Sequence, residues 1–228
     1  LIDTIPERFK NVKNIQKTFA YCYFDSAKTD EMFKQLTTNP DINYSRYNFF
    51  HSNYLISKNI EDKAEQIIKS SLNNYPKNLI LNQLKLDFKK KKKFNNKFDC
   101  KKISDVIAEI FYITSNTLAT QDNYMGSNFY LSLAKYLNPD FVSYEALYAE
   151  NFFFIQEYEK AKKIYNEIKK KGLVYRWHAS KQIASILIKQ NKSKNAAKSL
   201  KKSFEEIVNP TIYELFDYAE FLKNNEKY

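Results

Sequence analysis

Two histidines, two cysteines and a scatter of carboxylates are the residues of this 228-residue chain that could carry acid–base, nucleophilic or metal chemistry. General acid–base work needs paired groups whose pKa values are held apart. Neither His51 nor His178 has a serine, cysteine or carboxylate at a recognisable catalytic spacing. His51 adjoins Ser52 and reads as a packed, hydrogen-bonded imidazole. His178 follows Trp177 on a helix face. With two of each residue, the usual His/Cys clusters of zinc are out of reach. Two cysteines make no disulfide scaffold. Two free thiols are the simple reading of Cys22 and Cys100, with their pairing left open. Gly126 and Gly172 are the two glycines, so neither a dinucleotide fingerprint nor a phosphate-binding P-loop can be written. The expectation is therefore a protein that is not an enzyme and carries no cofactor or metal.

Lysine offers a different chemistry. Lys89, Lys90, Lys91, Lys92, Lys93, Lys97, Lys101 and Lys102 crowd residues 89–102 against Asp99 alone, with Phe94 and Phe98 between them. Such a patch could sit on RNA, an anionic membrane or an acidic tail. Arginine, the better phosphate fork, is absent from it. Further lysines at 162–171 and 189–202 belong to outer helix faces, while Glu159, Glu205 and Glu206 read as solubilising. The net charge of +11 is nearly all lysine, in a chain also rich in asparagine, phenylalanine and tyrosine. That composition accompanies AT-rich genomes and weakens any ligand reading of the charge.

The elements that must position these residues are helices. Hydrophobic residues make up 43% and charged residues 28%, which is the balance of a folded chain. No signal segment or membrane-spanning run is written in it. The compartment is open, with a soluble, cytoplasmic setting slightly favoured and an upstream signal or anchor not excluded. From residue 103 onward helices of roughly 12–16 residues follow one another through very short links. Shifting residues 143–172 back by 34 lays Ala149 on Ser115, Phe152 on Leu118, Tyr158 on Tyr124, Ala161 on Ser127 and Tyr165 on Leu131. A forward shift of 35 gives Ala184, Leu187, Ala196 and Leu200, and another reaches Ala219 and Leu222. Two antiparallel helices approach closely where one side chain is small, and a large neighbour fills the adjoining gap.

This spacing resembles the tetratricopeptide repeat (TPR), and residues 158–165 are close to the heart of its motif. Units cover 108–141, 142–175 and 177–210, with an opening helix at 212–228 cut before its partner. The glycines usual in that family are replaced by Ser115, Ala149 and Ala184 within the first helix, and by Asn123, Gln156 and Asn191 at the turn. Residues 47–76 read as an earlier unit, 14–40 as a weaker one, and Leu79–Phe88 as a helix whose partner is shortened or lost. Residues 1–88, a lysine-rich linker at 89–102 and an array at 103–228 would be the domains. The arrangement, including residues 100–116, is also similar to TPR proteins of alphaproteobacteria.

The resemblance implies an all-α superhelical solenoid of eleven or twelve helices in antiparallel hairpins. It also implies a scaffold that holds a peptide or helix of a protein partner on the first helix of each pair. Carried over by register, the groove positions are Arg46, Phe49 and Asn53, then Glu109, Tyr112 and Asn116. Ala146, Glu150 and Phe153 follow, then His178, Lys181 and Ser185, and finally Tyr213, Phe216 and Glu220. Of Phe152, Phe153 and Phe154, the middle ring is expected toward the groove, the first in the hairpin seam and the last against a neighbouring unit. The lysine patch as a polyanion surface is the alternative, and a third reading is the regulatory arm of a larger enzyme.

Overall fold

The computed structural model describes residues 6, 9–38, 45–89 and 98–225. Among them are twelve helices and no strand: α1 Lys10–Tyr23, α2 Thr29–Thr37, α3 Ser45–Ser57, α4 Glu61–Asn74, α5 Leu79–Lys89 and α6 Ile103–Ala119. The second half continues with α7 Tyr124–Leu137, α8 Val142–Phe154, α9 Tyr158–Ile168, α10 Leu173–Lys189, α11 Ser193–Glu205 and α12 Ile212–Asn225. The architecture is an all-α solenoid of antiparallel hairpins. Hairpins form from α1 with α2, α3 with α4, α6 with α7, α8 with α9 and α10 with α11.

One turn closes all five. Its central residue sits in the left-handed region: Asp25 (φ 53°), Asn59 (φ 60°), Asp122 (φ 58°), Gln156 (φ 62°) and Asn191 (φ 58°). The next amide reaches back five residues to the end of the first helix. Ser26 donates to the Tyr21 carbonyl, Ile60 to Leu55, Asn123 to Leu118, Glu157 to Phe152 and Lys192 to Leu187, at 2.8 to 3.0 Å. This is the Schellman closure, which satisfies helix carbonyls that would otherwise be orphaned. Asparagine and aspartate tolerate the left-handed conformation better than other side chains, which explains a turn built almost without glycine. The turn position expected at Asn123 falls on Asp122, because the Asn123 side chain caps α7 by accepting from the Gly126 amide at 3.0 Å.

The small residues lie where helices meet. Ser115, Ala149 and Ala184 in the first helices, and Ser127, Ala161 and Ala196 in the second, are fully buried. The two serine hydroxyls of the α6–α7 crossing stand 2.8 Å apart. Asn151 of α8 donates to Ser127 at 2.7 Å, tying one hairpin to the next. Ser52 and Ala64 make the equivalent buried crossing between α3 and α4.

The repeat breaks at α5, which has no second helix among the described residues. It packs instead against α3, α4 and, far along the chain, α10. There Gln83 accepts from the Val174 amide at 3.1 Å and so caps the start of α10. Gly172 makes room, since a Cβ at that position would lie 2.3 Å from the Gln83 carbonyl oxygen. After the break, Phe98 returns the chain to the interior among Phe19, Phe50 and Phe141, with ring centroids 4.2 to 5.8 Å away. Cys100 then bonds to Cys22 of α1 across a Cα separation of 5.8 Å. The two cysteines are thus a disulfide and not free thiols; the return of Phe98 brings them together, which a separation of 78 residues does not announce. A continuous core runs from α1 to α10, and a smaller cluster of Trp177, Ala184, Ala196 and Leu200 serves the far end. No described residue of α12 is buried. Among the described residues no helix is long and apolar enough to cross a membrane.

Candidate functional site

The first helices α6, α8 and α10 carry the row that the register assigns to a groove. Its fate differs along their length. At one end α3 has closed over it. Arg46 places its guanidinium 2.6 Å from both carboxylate oxygens of Glu109, and lies 4.0 Å from the Tyr112 ring centroid and 5.0 Å from that of Phe141. Tyr144 adds its hydroxyl to Glu109 at 3.3 Å. Glu109 is fully buried. Burial pushes its carboxyl up while the Arg46 charge pulls it back. On the other partner burial opposes the charge, yet Glu109 raises Arg46 well beyond the arginine range. The two-pronged contact holds the ionised pair.

This corrects the expectation for five residues. Phe49, Asn53 and Glu109 are interior, Arg46 is spent on Glu109, and Tyr112 is half-buried beneath it. They were placed in a groove because an open stack would expose them; the fold of α3 onto α6 and α8 covers them. Phe49 packs its ring 5.6 Å from Phe141, and Asn53 is enclosed beside Phe98 and Cys100.

Farther along the same helices the row stays open. Asn116, Glu150 and Ser185 are exposed, although Ser115, Ala149 and Ala184 directly before them are fully buried. Glu150 has no ion-pair or hydrogen-bond partner among the described residues. The protein around it nonetheless raises its carboxyl above the usual range by desolvation. Its charge in turn helps to raise the phenols of Tyr112 on α6, Tyr124 on α7 and Tyr165 on α9, after burial for Tyr112 and Tyr165 and after the Asp122 hydrogen bond for Tyr124. Tyr124 and Tyr165 belong to second helices, so a rule that reads groove residues off first helices passes over them. Phe153 is half-buried against Tyr158 at 5.8 Å. Phe154 stacks on Tyr124 of the preceding unit at 5.3 Å, the neighbour contact expected of it, and is still 51% exposed. Ala146 is half-buried.

On α10, His178 is half-buried beside Tyr165, 6.2 Å between ring centroids. Burial first and then the Lys181 charge lower its imidazole to about 4. Lys181 pairs with Asp217 of α12, which Lys77 also reaches at 3.1 Å. Burial works to raise the Asp217 carboxyl, and the two lysines outweigh it. On α12, Tyr213, Phe216 and Glu220 are exposed together with Ile212 and Leu215.

Of the lysine patch, Lys89, Lys101 and Lys102 are exposed, and Lys101 stands 3.1 Å from Asp25. Lys90, Lys91, Lys92, Lys93 and Lys97 lie outside the described residues. His51 bonds to Asp30 at 2.8 Å and stacks on Phe33, as a structural imidazole does. Among the described residues no group of three or more His, Cys, Asp or Glu could hold a metal ion.

No family model matches the chain, and no curated protein does. Among solved structures it is similar to a tetratricopeptide repeat protein from Parabacteroides merdae, at 17% identity over 95% of this chain and 92% of that one, with a TM-score of 0.40. The likeness is a general one, and the assignment to a TPR-like solenoid rests on the hairpins described above.

Proposed function

We propose that the chain is a protein-interaction scaffold that takes a peptide or helix of a partner along the open row Asn116, Glu150 and Ser185. The observation that carries this reading is the regular alternation on three successive first helices: a fully buried small residue, then an exposed polar one. Stacked hairpins hold such a row in fixed register before any ligand arrives, so the partner bears most of the ordering cost. Phe153 and Phe154 supply apolar area beside it, and aromatic anchors flanked by hydrogen-bonding groups suit peptide recognition. The residues that α3 covers take no part. The polyanion reading is less well supported, since Lys101 is already engaged by Asp25, which it shares with Lys58. The Cys22–Cys100 disulfide favours an oxidising compartment for this work, where such bonds persist.

The test uses matched baits from the source cell. Wild-type protein and Ser185→Arg, whose long side chain would block the row, are compared for the partners they retain. A partner held by the first and lost by the second supports the assignment. Identical partners on both remove the row from the binding surface.

A further inference from the structure

The outward side of α7 breaks a rule that other second helices keep. Ser127, Leu131 and Ala134 of α7 are buried against the stack. Met125, Phe129 and Tyr136 recur at i, i+4 and i+11 on the opposite side of the helix, and are 74%, 61% and 86% exposed. The register that lays Ser127 on the buried residues Ala64, Ala161 and Ala196 gives the matching positions elsewhere. Phe129 corresponds to Gln66, Lys163 and Lys198, and Tyr136 to Asn73, Lys170 and Glu205. All six are exposed and none is apolar. Beyond α7 the same side of the stack is basic. On α11, Lys194, Lys198, Lys201 and Lys202 stand against Glu205 alone, and Lys160, Lys163 and Lys170 are exposed on α9 and its closing turn. Some of these lysines meet a glutamate one turn away, an exposed pairing of little strength.

One face thus offers rings and a thioether at one end and a field of lysines along the rest. A second copy of the chain would bury the rings but would bring like charges together. An anionic bilayer satisfies both parts: apolar side chains enter the boundary between headgroups and acyl chains, and lysines are drawn to the charged surface. We propose that the outward side of α7, α9 and α11 docks on an anionic membrane surface, with Met125, Phe129 and Tyr136 as the inserted side chains. Tyr136 suits the interface in particular, with an apolar ring and a polar tip. The surface is separate from the lysines of residues 89–102, and the proposal does not rest on the groove reading, whose row lies on first helices.

Flotation of the full chain with vesicles tests this, using phosphatidylcholine alone and an equal mixture with phosphatidylglycerol. Wild type should float with the mixture and stay behind with phosphatidylcholine. Phe129→Ser/Tyr136→Ser removes exposed rings only, and thermal melting checks that the fold is kept; it should weaken the partition at least about tenfold. Lys194→Glu/Lys198→Glu and added salt should each weaken it as well. Flotation that the double serine variant leaves unchanged would mean adsorption by charge alone and would overturn the docking face. Equal flotation with phosphatidylcholine would overturn the anionic requirement, and absence of flotation would overturn the whole proposal. A dimer in analytical ultracentrifugation that the serine variant abolishes, without flotation of wild type, would assign the rings to a second copy instead.

Discussion

Arg46 and Glu109 show what a single pair can decide. Glu109→Ala would strand a buried guanidinium, and breaking one side of such a pair costs about 3–5 kcal/mol. A large drop in the urea midpoint is expected, and the double variant Arg46→Met/Glu109→Leu should recover much of it. Gln156 makes the opposite case. It is the one turn residue of the five that is neither asparagine nor aspartate, at φ 62°. Gln156→Gly relieves that conformation and should stabilise by about 1 kcal/mol, read as a raised melting temperature. His178 sets an acid limit. Folded, it titrates near 4, whereas a free imidazole titrates near 6.5. Between those values the unfolded chain binds a proton that the folded chain refuses, so stability falls as pH drops from 6.5 toward 4. The loss is on the order of 3 kcal/mol. His178→Gln should flatten that part of the stability–pH curve, and His51, also lowered by burial against the pull of Asp30, leaves a residual slope.

At the scale of the helix, the crossing residues govern. Ala161 is fully buried between α8 and α9, and Ala161→Leu should cost about 1–3 kcal/mol by overpacking. Ala219 holds the equivalent register on α12, where no helix crosses it, and Ala219→Leu should change stability by less than about 0.5 kcal/mol. Chemical denaturation of the pair separates register from contact. The same logic explains what could be read in advance. The size of a side chain is written at its own position, so a recurring alanine or serine marks a crossing, and helices α6 to α12 follow the residues that announced them. Whether a polar side chain on a first helix faces water is not local. Glu109 and Glu150 are both assigned to the row on successive hairpins, about two turns apart along it, and α3 buries one and leaves the other. That difference comes from where α3 lands, after a break in the repeat that no periodicity describes. The cysteine pairing was hidden for the same reason.

In the whole molecule, the Arg46–Glu109 pair is joined by two further long-range ties between the first five helices and the rest. The Cys22–Cys100 bond closes a loop of 78 residues, and cross-linking a loop of that size stabilises by about 4–5 kcal/mol in the chain-entropy account. A reductant should lower the urea midpoint accordingly, and Cys22→Ser/Cys100→Ser should match the reduced protein. The second tie is Gln83, whose side chain caps α10 from 91 positions earlier in the chain. Open repeat arrays fray from their ends and lose one module at a time, because each module answers to its nearest neighbours. A clasp between α5 and α10 forbids that order of events: neither helix can melt without releasing the other. Hydrogen exchange should therefore find the amides of α5 and α10 opening together as one cooperative block, and Gln83→Ala should let them open separately.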